Sequence, residues 1–310
     1  MKPAPSLSGA KSFSVVGTGK ESGKTTTCNF LIWGAFKGKK MGITSLGMGG
    51  SQVPLKIPEG SLVALAKNCL LAKKLELLEE TDAHTPWGPI VIGKSRDNSH
   101  GLVAGPLSNF DLIQVRGRLF DLGCELVIID GSLNRLSSTS SRICDSFALS
   151  ISYANFTPES FQEDLAFLLE RLSISRGGAL PPSFDQPFLL CQGEWIPFKA
   201  PHVPSEFSSR IDSVFLPGPL TCEKIEALGV SREGYSILVE EPWMVFLSFK
   251  EWSTLKKSGI KIECCLSSSL SFISLNKSSF PQKFPNPREA LVEFGGAFSS
   301  LQVLDISSDG

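Results

Sequence analysis

The sequence predicts an α/β protein built on a mostly parallel sheet, and three observations predict it. The first is a short β-branched run, Ser14-Val-Val16, that breaks at a glycine-rich turn and resumes at helical spacing. Cys28, Leu31, Ile32 and Ala35 then fall at i, i+3, i+4 and i+7. The second is Leu126-Val-Ile-Ile129, four apolar residues ending in Asp130-Gly131, the form of a buried parallel strand tipped by an acid. The third is the alternation of strand-like apolar runs with helix-period segments along the chain.

At 310 residues, 42% hydrophobic and 20% charged, the chain is a soluble globular protein of one large or two modest domains. A net charge of −1 leaves no electrostatic footprint for nucleic acid. No apolar run reaches membrane-spanning length. Met1-Lys-Pro-Ala-Pro-Ser6 lacks the hydrophobic core of a signal peptide, so residues 1–10 read as a disordered lead of a cytoplasmic protein. Eight cysteines and three histidines show no Cys-x-x-Cys and no ligand spacing. Buried thiols in a reducing compartment are expected, rather than a zinc or iron–sulfur site, with Cys264 and Cys265 on two faces of one strand.

In chain order, the strand at 14–16 and the loop Gly17–Gly23 lead into a helix from Lys24, stopped by the basic, glycine-containing Gly34–Lys40. Met41–Leu46 reads as a strand. Gly47–Gly50 after it either approaches a ligand crevice or is an ordinary turn. Val53–Ile57 is extended, and Pro58-Glu-Gly60 opens a helix over 61–78 with Val63, Ala66, Leu70 and Leu77 on its apolar side. Strands follow at Ile90–Ile92 and Leu102–Ala104, a helix at 107–122, the strand to Asp130, a serine-rich loop over 132–142 and a strand at Phe147–Ile151. Thr157 as cap and Pro158 at the first position open a helix to Leu172. The stretch Ser173–Asp185, with Arg-Gly-Gly and Pro-Pro, is the expected boundary between a domain over 11–175 and one over 186–310. The latter shows strands near 187–191, 213–216, 236–239, 244–248, 260–265 and 270–275, and helices near 221–228, 250–257 and 287–294.

Strand, glycine loop and helix N-terminus together form a phosphate cradle, because backbone N–H groups converge there and the helix dipole favours an anion. The cradle spans Gly19, Lys20, Glu21, Ser22, Gly23, Lys24, Thr25 and Thr26. In this arrangement Lys24 reaches the β/γ-phosphates of ATP, the Thr25 hydroxyl sits on Mg2+, and Thr26 adds a hydroxyl. The spacing departs from Gly-x-x-x-x-Gly-Lys-Thr, which requires glycine at 18, where Thr18 stands. Lys20 and Glu21 either touch phosphate or magnesium or are solvated loop charges. Asp130 has the position of the Walker B acid that holds magnesium through its water shell; the alternative is a strand-Asp-Gly that starts an ordinary turn. Lys24 and Asp130 are the expected catalytic pair, with Thr25 and Asp130 on the metal. No Asn-Lys-x-Asp guanine signature is present, which favours adenine.

The loop form Gly17-Thr-x-Lys-Glu-x-Gly-Lys-Thr25 resembles the dethiobiotin-synthetase-like branch of P-loop NTPases, and implies that fold with a second, smaller α/β region. Further stretches extend the likeness: Thr44–Gly47, Ile57–Ala64, Thr85–Gly88 through Val91-Ile92, Leu102–Pro106, Leu126–Gly131 and Phe215–Thr221. In their order, over most of the chain, they are similar to the small P-loop subunit of the lysine 5,6-aminomutase reactivase. That resemblance implies an ATPase acting with a larger, mismatch-repair-ATPase-like subunit to release damaged cobalamin from an adenosylcobalamin-dependent aminomutase. The loop type also implies a homodimer across the nucleotide. One departure stands out: members carry an acidic Arg-Asp-Gly-Glu-like loop after the second strand, where this chain has uncharged Met48-Gly-Gly50. That puts fast hydrolysis in doubt. Two other classes stay open. One is a ligase or kinase acting on a small carboxylate, which needs a cationic clamp such as Lys20, Arg116 or Arg135; the other is a scaffold that binds no nucleotide.

Overall fold

A computed structural model describes residues 9–48, 53–131, 136–155, 157, 160–199, 202–204, 207, 211–229, 234–276 and 302–305. In chain order the strands up to the middle of the sequence are β1 (Ser12–Gly17), β2 (Met41–Ser45), β3 (Leu55–Ile57), β4 (Leu62–Ala66), β5 (Leu75–Thr85), β6 (Gly88–Ser95), β7 (Ser99–Gly101), β8 (Leu126–Asp130) and β9 (Ser146–Ile151). Helices α1 (Lys24–Phe30), continued as a π-helical turn to Ala35, and α2 (Asn109–Asp121) connect them. The remainder holds α3 (Phe161–Leu172), β10 (Phe188–Cys191), β11 (Glu194–Pro197), β12 (Ile211–Phe215), α4 (Cys222–Ala227), β13 (Ser236–Val239), α5 (Phe249–Lys257), β14 (Lys261–Cys264), β15 (Ser269–Leu275) and β16 (Gln302–Asp305).

A nine-stranded sheet runs in the order β16-β15-β9-β1-β8-β2-β4-β6-β5. It is parallel from β16 to β4 and turns antiparallel only at β6 and β5. The α/β class and the mostly parallel sheet therefore stand. β1, β2, β4 and β8 are buried along their whole length; β4 and β8 read as apolar runs, whereas β1 and β2 also bury Ser12, Ser14, Thr44 and Ser45. Phe13, Val15, Leu31, Ile43, Val63 and Ile128 sit in one buried cluster that fills the space between α1 and the central strands. α2 is capped by Ser108, whose hydroxyl accepts from the Asp111 N–H, and it buries Leu112, Val115 and Leu119.

The chain divides into two compact units, one of residues 1–161 with 268–310 and one of residues 162–267. This differs from the expected split into 11–175 and 186–310: β15 pairs with β9 and β16 with β15, so the last part of the chain returns to the first sheet. The Ser173–Asp185 stretch misled because its glycines and prolines mark loops inside the second unit, not its edge. That second unit has its own sheet, β11-β10-β12-β13-β14, parallel from β12 to β14. Its core contains Val214, Leu220, Ile237, Val239 and Trp252, and α5 opens with a capping box of Ser248 and Glu251. Cys264 and Cys265 belong to different core clusters, as expected for two faces of one extended segment.

Other differences are local. The helix expected over 61–78 is instead β4, a 3-10 turn at Leu70–Lys74 and the start of β5. Leu62–Ala66 is buried on both faces, and a short apolar run without period does not separate a strand from a helix. Leu102–Ala104 forms only an isolated bridge, Ala104 to Met48, and 244–248 holds a bridge from Val245 to Leu220 after a 3-10 turn. The serine-rich loop closes from Leu136 into a 3-10 turn that buries Ser138 and Thr139. β7, β11 and β16 escaped the sequence because each is only three or four residues long. The helix expected at 287–294, and residues 1–8 of the lead, lie outside the described residues.

Gly105 and Gly117 make a paired test of the packing. A Cβ on Gly105 would lie 2.0 Å from the Ser45 carbonyl oxygen, whereas one on Gly117, inside α2, would meet nothing within 4 Å. Gly105→Ala is expected to destabilise the chain by about 2–3 kcal/mol, as overpacking against backbone does. Gly117→Ala should stabilise it by about 0.5–1 kcal/mol. Urea unfolding of both variants checks the contrast.

Candidate functional site

The carboxyl ends of β1, β8 and β2 meet at one point. Val15 pairs with Asp130 across β1 and β8, and Ser45 pairs with Asp130 across β2 and β8. The Gly131 N–H donates to the Val15 carbonyl at 2.9 Å. A Cβ at Gly131 would stand 2.4 Å from that carbonyl oxygen, which explains why glycine follows the acid. Crevices outside the carboxyl ends of parallel strands are where such sheets bind ligands.

The loop from Gly17 to Gly23 rises from the end of β1 and is tightly folded. A Cβ at Gly17 would collide with Ser22 Oγ at 2.0 Å, and one at Gly19 with the Asn155 side chain at 2.6 Å. Glu21 and Gly23 take left-handed backbone angles, φ 58° and 93°, alternating with ordinary ones. Alternations of this kind make backbone concavities that receive anions. α1 begins at Lys24 with no side-chain cap. Among the described residues, none of the N–H groups from Gly19 to Thr26 donates to a backbone or side-chain acceptor. Orphan donors at a helix start call for a partner. Lys24 Nζ folds back over the loop, donating to the Gly19 carbonyl at 2.8 Å and reaching Ser22 Oγ at 3.4 Å. Burial holds its pKa below the ordinary lysine value, against the opposing pull of Asp130. The Lys20 and Glu21 side chains are exposed.

Thr25 and Asp130, 105 residues apart, are brought together. The Thr25 hydroxyl donates to Asp130 Oδ2 at 3.2 Å, and both residues are only 6% exposed. Burial pushes the Asp130 carboxyl up to about 6, against the lowering influence of Lys24 and of hydrogen bonds from Thr25 and Cys28. The neighbouring Cys28 thiol is pushed well up, first by burial and then by Asp130.

The structure adds residues that no local motif announced. Thr18, standing where the standard loop has glycine, donates its hydroxyl to Asn155 Oδ1 at 3.0 Å and accepts from the Ser152 N–H at 3.2 Å. Asn155 Nδ2 donates to the Lys20 carbonyl, and Asn276 Nδ2 to the Glu21 carbonyl, each at 3.0 Å. Beneath the helix start, the hydroxyls of Thr27, Ser150 and Ser274 lie within 2.8–2.9 Å of one another. Thr27 Oγ1 also lies 3.0 Å from the Gly23 carbonyl. The contacts among Thr27, Ser150 and Ser274 join segments more than 120 residues apart, so sequence spacing carried no signal for them.

Chemically, the oxygen pair Thr25–Asp130 suits magnesium, which takes few protein ligands and keeps water or phosphate oxygens for the rest. The uncapped N–H array and Lys24 suit an anion such as a phosphate group. Gly17 and Gly19 are buried, and a Cβ on either would intrude on Ser22 or Asn155. Among the described residues, no three His, Cys, Asp or Glu side chains converge on a metal-sized site, here or elsewhere. No described helix is long and apolar enough to cross a membrane. Compared with family models, curated proteins and solved structures, the chain matches none.

A pH test follows from the carboxylate. Its folded value of about 6 lies above the ordinary 3.8, so protonation favours the folded, ligand-free chain. That contribution is full below about pH 4, is lost as pH rises through about 6, and amounts to about 3 kcal/mol. Asp130→Asn is therefore expected to be more stable than the parent by about 1–3 kcal/mol at pH 7.5. The difference should shrink between pH 7.5 and pH 5, as read by urea unfolding at both pH values.

Proposed function

We propose that this chain binds Mg–ATP at the loop 17–25 with Asp130, and works as the nucleotide-driven accessory subunit that reactivates an adenosylcobalamin-dependent aminomutase. The observation that supports it most is the uncapped N–H array of Gly19–Thr26 lying beside the Thr25–Asp130 pair. Lys24 leaves the Gly19 carbonyl to neutralise β/γ oxygens. The N–H groups cradle the phosphates, with Thr26 adjacent. Thr25 and Asp130 orient magnesium, which supplies charge stabilisation for phosphoryl transfer. The unusual Thr18 is accommodated because its hydroxyl binds Asn155 instead of facing the ligand.

The partners rest on the resemblance of the ordered stretches from Thr44 to Thr221, and they are a cytoplasmic mutase and a larger mismatch-repair-ATPase-like subunit. Nucleotide acts there by differential affinity: the ATP-bound and ATP-free forms bind the mutase complex unequally. With no acid in Met48-Gly-Gly50, basal turnover is slow and rises when the partner completes the site. A ligase or kinase needs a free cationic clamp, and of the three candidates Arg116 is engaged with the Ile143 carbonyl at 2.5 Å.

Calorimetry on the full chain tests this. ATP should bind with magnesium, GTP more weakly, and Lys24→Ala should lose about tenfold or more in affinity, about 1.4 kcal/mol. Turnover that rises with the partner subunit supports the accessory role, whereas turnover that rises with a carboxylic acid supports a ligase. Equal binding by wild type and Lys24→Ala would contradict the site.

A further inference from the structure

Two asparagines hold the backbone of the loop from outside. Asn155, just beyond β9, donates through Nδ2 to the Lys20 carbonyl, while its Oδ1 accepts from the Thr18 hydroxyl. Asn276, just beyond β15, donates through Nδ2 to the Glu21 carbonyl. Each asparagine is itself fixed by its own N–H, Asn155 to the Ser152 carbonyl at 3.1 Å and Asn276 to the Ile151 carbonyl at 3.0 Å. Successive carbonyls of one loop are thus captured by side chains on two neighbouring strand ends.

In a trans peptide the carbonyl and the following N–H point in opposite directions. Fixing the Lys20 and Glu21 carbonyls therefore fixes the N–H groups of Glu21 and Ser22, on the side away from the asparagines. Among the described residues, neither N–H donates a hydrogen bond to a backbone or side-chain acceptor. Glu21 also holds a left-handed angle, φ 58°, that costs a non-glycine residue about 1 kcal/mol or more. A hydrogen bond to its carbonyl is of the size needed to offset that cost. Gly19 is part of the same fit, since a Cβ there would lie 2.6 Å from Asn155.

We propose that Asn155 and Asn276 are positioning residues that pre-organise the loop for a phosphate group, holding Glu21 in its strained form before ligand arrives. This rests on the nucleotide assignment for its ligand, but not for the clamp itself. Asn155 and Asn276 also flank, in sequence, the segment 162–267 that forms the second unit.

The test uses full-length protein and needs no nucleotide for its first reading. Trypsin cleaves after Lys20, at the peptide whose carbonyl Asn155 holds. Asn155→Asp keeps the acceptor for Thr18 and replaces the donor by a carboxylate oxygen; Asn276→Ala removes the other donor. Each is expected to raise the rate of cleavage after Lys20 about tenfold, the size of one lost hydrogen bond. Cleavage after the exposed Lys39 should stay unchanged, and the double variant should exceed either single one. Mg–ATP affinity should fall about fivefold in each. A merely destabilised fold would raise cleavage at Lys39 as well. Unchanged cleavage after Lys20 in the double variant, or an equal rise at Lys39, overturns the clamp. If wild type binds no Mg–ATP, the nucleotide assignment falls, and the cleavage ratio alone still decides the clamp.

Discussion

The pairing of β1 with β8 sets everything at the site. With Val15 opposite Asp130, the strand that ends in the glycine loop and the strand that ends in the carboxylate finish at the same level. A slip of one residue would turn Asp130 to the other face of the sheet and part it from Thr25. Both strands are buried throughout, and along β1 Ser12 and Ser14 alternate with Phe13 and Val15, so a slip would exchange the faces on which these residues sit. Gly131 adds a lock, because only glycine tolerates the approach to the Val15 carbonyl. Core packing and site geometry are one constraint here.

Around that register the chain accumulates local costs. Asp130 is a buried carboxyl raised to about 6, Glu21 sits at φ 58°, and α1 starts without a capping side chain. None of these helps the ligand-free fold. Local rules are broken together mainly where function requires it, with support supplied from elsewhere. The support is visible: Asn155, Asn276 and the three buried hydroxyls of Thr27, Ser150 and Ser274 hold the loop and the helix base from the neighbouring strands.

Much of this was legible in the sequence, and for a physical reason. Strand-loop-helix and strand-acid signals are local, so Gly17–Thr25 and Leu126–Gly131 announced their elements within a few residues of each. The juxtaposition of Thr25 with Asp130 also followed, because adjacent parallel strands in such a sheet end at one edge. What stayed hidden was non-local. The return of β15 to the first sheet, and with it Ser274 and Asn276, depends on pairing across the inserted unit. Leu62–Ala66 looked helical because a strand buried on both faces loses the two-residue alternation that would identify it. Thr18 looked like a defect in the motif, yet its hydroxyl is part of the loop's support.

These features join in one site: a loop held by side chains behind it, beside a carboxylate and a hydroxyl whose oxygens suit a cation. The most direct measurement is electron paramagnetic resonance of Mn2+ as a stand-in for magnesium, titrated onto the full chain with and without ATP. The account predicts Mn2+ held by wild type only when ATP is present, and released from the complex in both Thr25→Ala and Asp130→Asn. Mn2+ that binds equally without ATP, or that ignores both substitutions, would contradict it.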